Sequence, residues 1–161
     1  MSRNRAFLLP LALMLAILFG VIGGAFLYSQ AVLYGGAAKI NGELQARSVA
    51  EVGIEDARCK LQRDIDFPPA GSQEQTEYAY TEIYLDPITK NRVGSYTVVV
   101  DQTHANAPYY VMVVRSTGSV ATVDTNILKT VVAELDVSPT NRDNPAQPNS
   151  RYLQVLNWRE K

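Results

Sequence analysis

The residues of this chain that could do acid–base or metal chemistry are few and scattered. Glu51 and Glu55, which flank Gly53, could serve as acidic ligands of a cation, but the sequence offers no second group of histidines or carboxylates to complete a metal site. His104 is the only histidine, and no serine or cysteine nucleophile motif lies near it. The sequence also contains no phosphate-binding loop and no dinucleotide motif. We therefore predict no catalytic residue, no metal and no cofactor.

Composition excludes two further classes of protein. The formal net charge is −1 and the basic residues are dispersed, which argues against a nucleic-acid partner. Cys59 is the only cysteine, so an intrachain disulfide is impossible. We predict that Cys59 is a dispensable small apolar residue on a helix face, and the alternative is that it pairs with another chain.

The longest uniform feature is an uncharged stretch from Ala6 to Ala38, bounded by Arg5 and Lys39. It exceeds the roughly 20 apolar residues with which an α-helix crosses a bilayer. Arg3 and Arg5 precede it, and positive residues beside a first span are retained in the cytoplasm. We therefore predict one membrane-spanning helix with the C-terminus outside the cytoplasm.

A cleaved secretory signal is the alternative interpretation of this stretch. Such signals have an apolar region of about 7–15 residues followed by a small-residue cleavage site. Gly36-Ala37-Ala38 would be a weak site of that kind, but the apolar region is much longer and helical sequence continues past it. We expect retention in the membrane, and release near Ala38 would give an ordinary secreted protein.

The helical pattern continues after the uncharged stretch, from residue 39 to residue 66. Asp56, Lys60 and Asp64 follow one another at intervals of four and should be neighbours on one helix face. Two prolines after Phe67 end the pattern, so the helix should run from about residue 5 to residue 64. Apolar residues recur at helical spacing along this second part: Ile40, Leu44, Ile54, Ala57 and Leu61.

The remainder of the chain, residues 67–161, has the pattern of β-strands without intervening helices. Such strands form an antiparallel sheet, one face of which can pack on the helix, which predicts an α+β fold. We take Thr117-Gly118-Ser119 as a break between strands. The predicted strands are Tyr78–Leu85, Tyr96–Asp101, Tyr109–Arg115, one strand with possible interruptions from Val120 to Val137, and Tyr152–Trp158.

Three segments resemble the PilX-like minor pilins and related pseudopilins of type IV pilus and type II secretion systems. The segments are RAFLLPLALM (Arg5–Met14), AEVGIEDA (Ala50–Ala57) and VLNWRE (Val155–Glu160). The first is similar to the short basic leader and hydrophobic helix of that family. The second resembles its "AEAGIE.A" stretch, here with Glu51, Gly53 and Ile54. The third is similar to its closing "WRE" strand, here Trp158, Arg159 and Glu160.

The resemblance implies a pilin-like fold and four parts of the chain. They are a leader at residues 1–6 with cleavage between Ala6 and Phe7, a transmembrane and filament-core helix at 7–38, an amphipathic half of the same helix at 39–66, and an extracytoplasmic sheet domain at 67–161. Major pilins carry a glutamate at the fifth mature position, and this chain has Leu11 there. The disulfide-bounded loop of many pilins cannot form with one cysteine.

The function that the resemblance implies is structural. The chain would be a subunit of a pilus-like or secretion filament in a bacterium, lying in the cytoplasmic membrane before assembly and in a cell-surface or periplasmic filament afterwards. Its partners would be membrane lipid, other pilin-like subunits and a tip adhesin. Gly20 and Gly24 form a G-x-x-x-G pair that permits close helix–helix approach, although glycine is common in membrane helices. The rival interpretation is a single-pass membrane-anchored binding module that does not polymerise.

Overall fold

The computed structural model describes residues 5–64, 67, 76–122 and 125–161, and for residues 5–9 it describes the backbone alone. The chain forms two compact units, one ending at Asn41 and the other covering Gly42–Lys161. We describe each by itself. The arrangement is a long N-terminal helix whose second part packs on an antiparallel sheet, which confirms the predicted α+β class.

Helix α1 covers Arg5–Arg63, within one residue of the predicted end. Its first part is rich in leucine and alanine, which favour helix, and Pro10 lies within its first two turns. α1 is long and apolar enough to cross a bilayer, and its most apolar portion contains no buried residue. This is consistent with a single-pass membrane anchor.

The sheet has five strands, each antiparallel to the next, in the order in which they occur along the chain. The strands are β1 (Glu77–Leu85), β2 (Arg92–Asp101), β3 (Val111–Ala121), β4 (Asn126–Asp136) and β5 (Val155–Glu160). Such a meander needs only hairpin connections between neighbouring strands.

Several of the predicted strand boundaries are wrong. Thr117-Gly118-Ser119 is not a break, because all three residues pair within the β3–β4 ladder. The segment from Val120 to Val137 is not one strand, since β3 ends at Ala121 and β4 begins at Asn126. Between them, the backbone N–H of Thr122 donates a hydrogen bond to the carbonyl of Thr125. The closing strand begins at Val155, three residues later than predicted.

The core lies between the helix and one face of the sheet. Burial alternates along β2 and β3, as expected for strands that bury one face only. The second part of α1 supplies side chains from Ala46 to Leu61. The fully buried large side chains include Val49, Ile54 and Leu61 from the helix and Val98, Val100, Met112, Val114, Val131 and Leu135 from the sheet.

The opposite face of the sheet carries a row of threonines across its middle. Thr81, Thr97, Thr117 and Thr130 stand directly opposite one another across four strands. Their hydroxyls bond in pairs, Thr81 with Thr97 and Thr117 with Thr130, each at 2.9 Å. A face of this composition can remain in contact with water.

The two ends of the sheet differ in what they connect. The β1–β2 and β3–β4 turns lie at one end, and the β2–β3 and β4–β5 loops lie at the other. A Cβ atom at Gly42 would lie 3.2 Å from Cγ2 of Thr122, so the chain enters this unit at the first end, here named the entry end. Arg58, near the end of α1, donates from Nε to the Leu153 carbonyl at 3.1 Å, so the helix finishes at the far end.

Candidate assembly surface

The first part of α1 is an apolar surface that no other described residue covers. Every large apolar side chain from Leu11 to Tyr34 that is exposed retains between 45% and 74% of its accessible area. A continuous patch of this kind marks contact with lipid or with another protein. The predicted processing residues Ala6 and Phe7 lie in the α1 backbone, and their side chains are outside the described part.

Gly20 and Gly24 are open positions. A Cβ atom built at either glycine would meet nothing within 4 Å outside the helix itself. This chain's own fold therefore does not require glycine at these sites. The missing side chains leave a shallow strip along the helix, which another helix could approach closely.

Gly53, in the second part of the same helix, is in contrast a filled position on the side that faces the sheet. A Cβ atom there would overlap with Oγ of Ser116 and lie 2.9 Å from Cδ2 of Tyr96. The neighbouring Ile54 is fully buried in the core. The segment that resembles the pilin helix motif therefore provides the contact between helix and sheet.

Gly118 on β3 completes this close approach from the sheet side. A Cβ atom at Gly118 would overlap with the carbonyl oxygen of Ala46 and lie 2.6 Å from the backbone nitrogen of Ala50. Backbone atoms cannot rotate out of the way as a side chain can, so only glycine fits here. This requirement could not be predicted from the sequence, because a glycine between a threonine and a serine is typical of a turn.

One arginine joins two of the three segments that carry the family resemblance. Arg47 donates from Nε to Glu51 at 2.9 Å and forms an ion pair through Nη2 with Glu160 at 2.6 Å. The hydrogen bond with Glu51, and next the charge of Glu160, raise the pKa of Arg47 above its ordinary value. Arg159 forms an ion pair with Glu134 on the adjacent strand. The closing strand β5 is thereby fastened to α1.

A polar network that sequence reasoning largely missed holds α1 to β1 and β2. Lys60 Nζ bonds to Asp56 Oδ2 at 2.6 Å, as the spacing of four residues predicts, and also pairs with Glu82 on β1. The hydroxyl of Tyr80 donates to Asp56 at 2.9 Å, and that of Tyr96 donates to Glu82 at 3.0 Å. Glu82 could not be foreseen as a partner, because only the folded sheet brings it to the helix.

The protonation states of this network suit structure better than catalysis. Partial burial alone would lower the pKa of Lys60, but its hydrogen bonds to Asp56 and Glu82 raise it, so the amine stays charged and is not a nucleophile. Burial, and then the bond to Asp56, raise the pKa of Tyr80 well above its usual range. Burial, and then the bond to Glu82, do the same for the pKa of Tyr96. Both phenols therefore remain hydrogen-bond donors.

Cys59 lies on the exposed side of α1 and not in the core. It lines an open groove of about 710 Å³ on the second unit. The residues around the groove are Ser48, Glu51, Val52, Glu55, Asp56, Cys59, Tyr96 and Trp158. Trp158 is 37% exposed, and Glu55 is paired with Arg58 at 2.7 Å. The groove thus offers an apolar floor with carboxylates that are already partnered.

His104 lies in the β2–β3 loop at the far end of the sheet. It is exposed, and its ring meets the ring of Tyr109 edge-on at a centroid distance of 5.1 Å. Among the described residues, no group of three or more histidines, cysteines or carboxylates is arranged to hold a metal ion.

Comparison with protein-family models, with curated proteins and with solved structures found no match to this chain. Function therefore has to be argued from the residues and their placement. The most distinctive placement is that one helix carries both an uncovered apolar surface and the contact that holds the sheet.

Proposed function

We propose that this chain is a structural subunit, a minor pilin or pseudopilin, of a type IV pilus-like or type II secretion filament, and that it contributes to assembly or tip formation. The observation that carries the proposal is the difference in exposure between the two parts of α1. Its uncharged first part is exposed from residue 10 to residue 38 except at the half-buried Gln30, whereas its second part packs on the sheet. A subunit that leaves the membrane to join a filament needs both.

The apolar part of α1 acts as the assembly element in this proposal. Lipid covers it before assembly, and the corresponding segments of neighbouring subunits cover it in the filament. Lipid tails are as apolar as leucine, so the exchange is decided by close packing rather than by a hydrophobic gain. The strip at Gly20 and Gly24 provides that packing surface.

The sheet domain presents the partner-specific surface. Arg3 and Arg5 keep the N-terminus in the cytoplasm, so the sheet domain lies outside it, where other pilin-like subunits and a tip adhesin are the expected partners. An alkaline phosphatase fused to the C-terminus should therefore be active, and carbonate washing should leave the protein in the membrane pellet. A soluble product that begins near Lys39 would contradict the anchor and the filament role together.

The decisive test is the double substitution Gly20→Leu and Gly24→Leu in the full chain. Two bulky side chains would hold neighbouring helices apart and cost about 1–2 kcal/mol of association, or roughly a tenfold loss in co-purified pilin-like subunits. The protein itself should stay in the membrane, because leucine is at least as apolar as glycine. Ala25→Leu is the matched control, since it adds a similar side chain about 100° around the helix from Gly24.

The rival function, a membrane-anchored binding module, predicts the reverse pattern. The glycine pair would be silent, and a single polar substitution such as Glu51→Gln, Glu55→Gln or His104→Ala would abolish activity while the protein remained correctly inserted. If Cys59→Ala lost both a disulfide-linked dimer and function, the Cys59 thiol, and not the apolar helix, would be the assembly contact.

A further inference from the structure

The exposed aliphatic side chains of the second unit are concentrated at the entry end of the sheet. The large exposed residues of this unit are Leu44, Ile83, Leu85, Ile88, Tyr109, Leu128, Tyr152, Leu156 and Trp158. Among the described residues, all the aliphatic ones except Leu156 lie on or beside the β1–β2 and β3–β4 turns or on the first turns of the helix in this unit. The far end carries the two tyrosines instead.

The hydrogen bonds of the β1–β2 turn hold one of these residues, Ile88, in an exposed position at the tip of the hairpin. Oδ1 of Asp86 accepts from the backbone N–H groups of Ile88 at 2.8 Å and Thr89 at 2.7 Å. The backbone of Asp86 bonds at 2.9 Å to both Asn91 and Lys90, which closes the loop. Ile88 is left 89% exposed at the apex. A well-bonded loop that presents an isoleucine in this way has a preorganised apolar tip.

Basic residues flank this tip. Lys90 and Arg92 are both exposed, and neither forms an ion pair within the described part of the chain. The nearby Glu43 is paired with Lys129 at 3.4 Å, and the carboxylate of Asp86 accepts hydrogen bonds from the backbone of the turn. An apolar apex with two available cations beside it matches the chemistry of a lipid surface, where acyl chains meet anionic phosphates.

The entry end is joined to the apolar part of α1 by a short stretch of chain. Gly42, at the entry end, follows Lys39 by three residues, and Lys39 is the first charged residue after the uncharged stretch. Three residues of chain reach at most about 11 Å even when fully extended. The polar layer of a bilayer is roughly 5–7 Å deep on each side. The entry end is therefore tethered to the anchoring helix by a short stretch of the same chain, which makes the bilayer that holds the helix its neighbouring surface.

We propose that, before assembly, the entry end of the sheet domain docks on the lipid surface of the membrane that holds α1. Ile88 inserts at the boundary between headgroups and acyl chains, and Lys90 and Arg92 contact the phosphates. The proposal rests on the membrane anchor that the proposed function also uses. Its occupant is lipid, because the tether supplies lipid at a high effective concentration. Docking would hold the subunit ready for transfer into a filament.

Tryptophan fluorescence in the full chain can test this. Trp158 is the only tryptophan, so Trp158→Phe provides a silent background. Three single reporters are then compared in vesicles of phosphatidylcholine and phosphatidylglycerol with and without bromine near the top of the acyl chains: Ile88→Trp, Tyr109→Trp at the far end, and Leu18→Trp within the apolar helix. Tyr109 is a matched control because it is 60% exposed and lies in a turn at the opposite end.

The expected result is blue-shifted emission and bromine quenching for Ile88→Trp, with neither for Tyr109→Trp. Adding Lys90→Gln and Arg92→Gln should lower that quenching. Water-like, unquenched emission from Ile88→Trp would overturn the proposal. A blue shift that occurs without quenching and disappears when the protein is diluted in lipid would also overturn it, because a second copy of the chain would then cover Ile88. Quenching of Leu18→Trp reports the anchor separately. If that is absent, the membrane anchor behind the proposed function fails as well.

Discussion

Helix α1 uses glycine in two opposite ways along its length. At Gly24, a Cβ atom would meet nothing within 4 Å, whereas at Gly53 it would overlap with the sheet. The same residue type thus marks a surface left free for a partner in the first part of the helix and a surface already filled by the chain in the second part. The comparison shows that a G-x-x-x-G pattern and a buried glycine cannot be told apart by sequence alone.

The two parts of α1 also differ in where their stability comes from. Val49, Ile54 and Leu61 are at most 1% exposed, and burying each such aliphatic side chain contributes about 1.5–3 kcal/mol. The first part receives no such contribution from the described chain, because its large side chains face outward. In the proposed function, lipid or neighbouring subunits supply to the first part what the sheet supplies to the second.

The largest expected effect comes from making the same change in both parts of the helix. Gly53→Leu should destabilise the sheet domain by about 3 kcal/mol or more, because the helix must separate from Ser116 and Tyr96 to admit the side chain. Gly24→Leu should leave the unfolding temperature unchanged. Near-UV circular dichroism during thermal unfolding in detergent would measure both. Equal effects of the two substitutions would break the comparison, since the open and the filled surface would then be energetically alike.

A second fastening, at the far end of the sheet, acts without the helix. The carboxylate of Asp136 is 3% exposed and accepts hydrogen bonds from Ser138 N at 3.1 Å, Arg142 Nη2 at 3.1 Å and Asn149 Nδ2 at 3.2 Å. Arg142 Nη2 also donates to the carbonyl of Tyr110 at 3.0 Å. This network closes the long β4–β5 loop, which cannot contain a disulfide.

Asp136→Asn should cost about 2 kcal/mol of unfolding free energy at pH 7, because the charged hydrogen bonds are lost. Burial alone would raise the pKa of Asp136, but the bonds from Ser138, Arg142 and Asn149 outweigh it and lower that pKa. A lowered folded-state pKa means that the contribution is complete above the ordinary aspartate pKa of about 4 and is lost as pH falls through the folded value. Denaturant unfolding at several pH values should show the gap between variant and parent closing in acid. A difference in unfolding free energy that stays constant with pH would show that the charge of the Asp136 carboxylate does not contribute to stability.

The smallest effect distinguishes two neighbouring tyrosines beneath the helix. Tyr80→Phe should cost about 1 kcal/mol, since the phenol of Tyr80 donates to Asp56. Tyr78→Phe should be neutral or slightly stabilising, because its buried hydroxyl has no hydrogen-bond partner in the described part of the chain. The unfolding free energies of the two variants, measured side by side, test the polar network directly. A larger loss in Tyr78→Phe would mean that the network is not what holds the helix to β1.

Long, periodic features of this fold could be predicted from the sequence, and contacts between distant residues could not. The extent of α1 follows from an unbroken apolar stretch and a helical repeat, and both are local properties. The pair Asp56–Lys60 was predictable for the same reason. Glu82 and Glu160 were not, because their partners Lys60 and Arg47 lie on α1, far from them in sequence.

The error at Gly118 in the strand predictions has a physical source. Gly118 looks like a turn residue, yet it lies within β3 because a helix backbone presses against it. Local propensity cannot register a neighbour that arrives from elsewhere in the chain. Within the candidate assembly surface, the Gly20 and Gly24 strip could be proposed from spacing, but whether the chain itself covered that strip required the structure.

The chain order of the strands has a consequence for the speed and hazard of folding. Each strand pairs with the one synthesised just before it, so the sheet can grow hairpin by hairpin, and such local pairing favours rapid folding. The helix, however, is synthesised first, and contacts such as Arg58 with Leu153 span 95 residues. The apolar underside of α1 stays uncovered until the central strands follow. The interval between the synthesis of Leu61 and that of Leu135 is therefore when a nascent chain is most prone to aggregate.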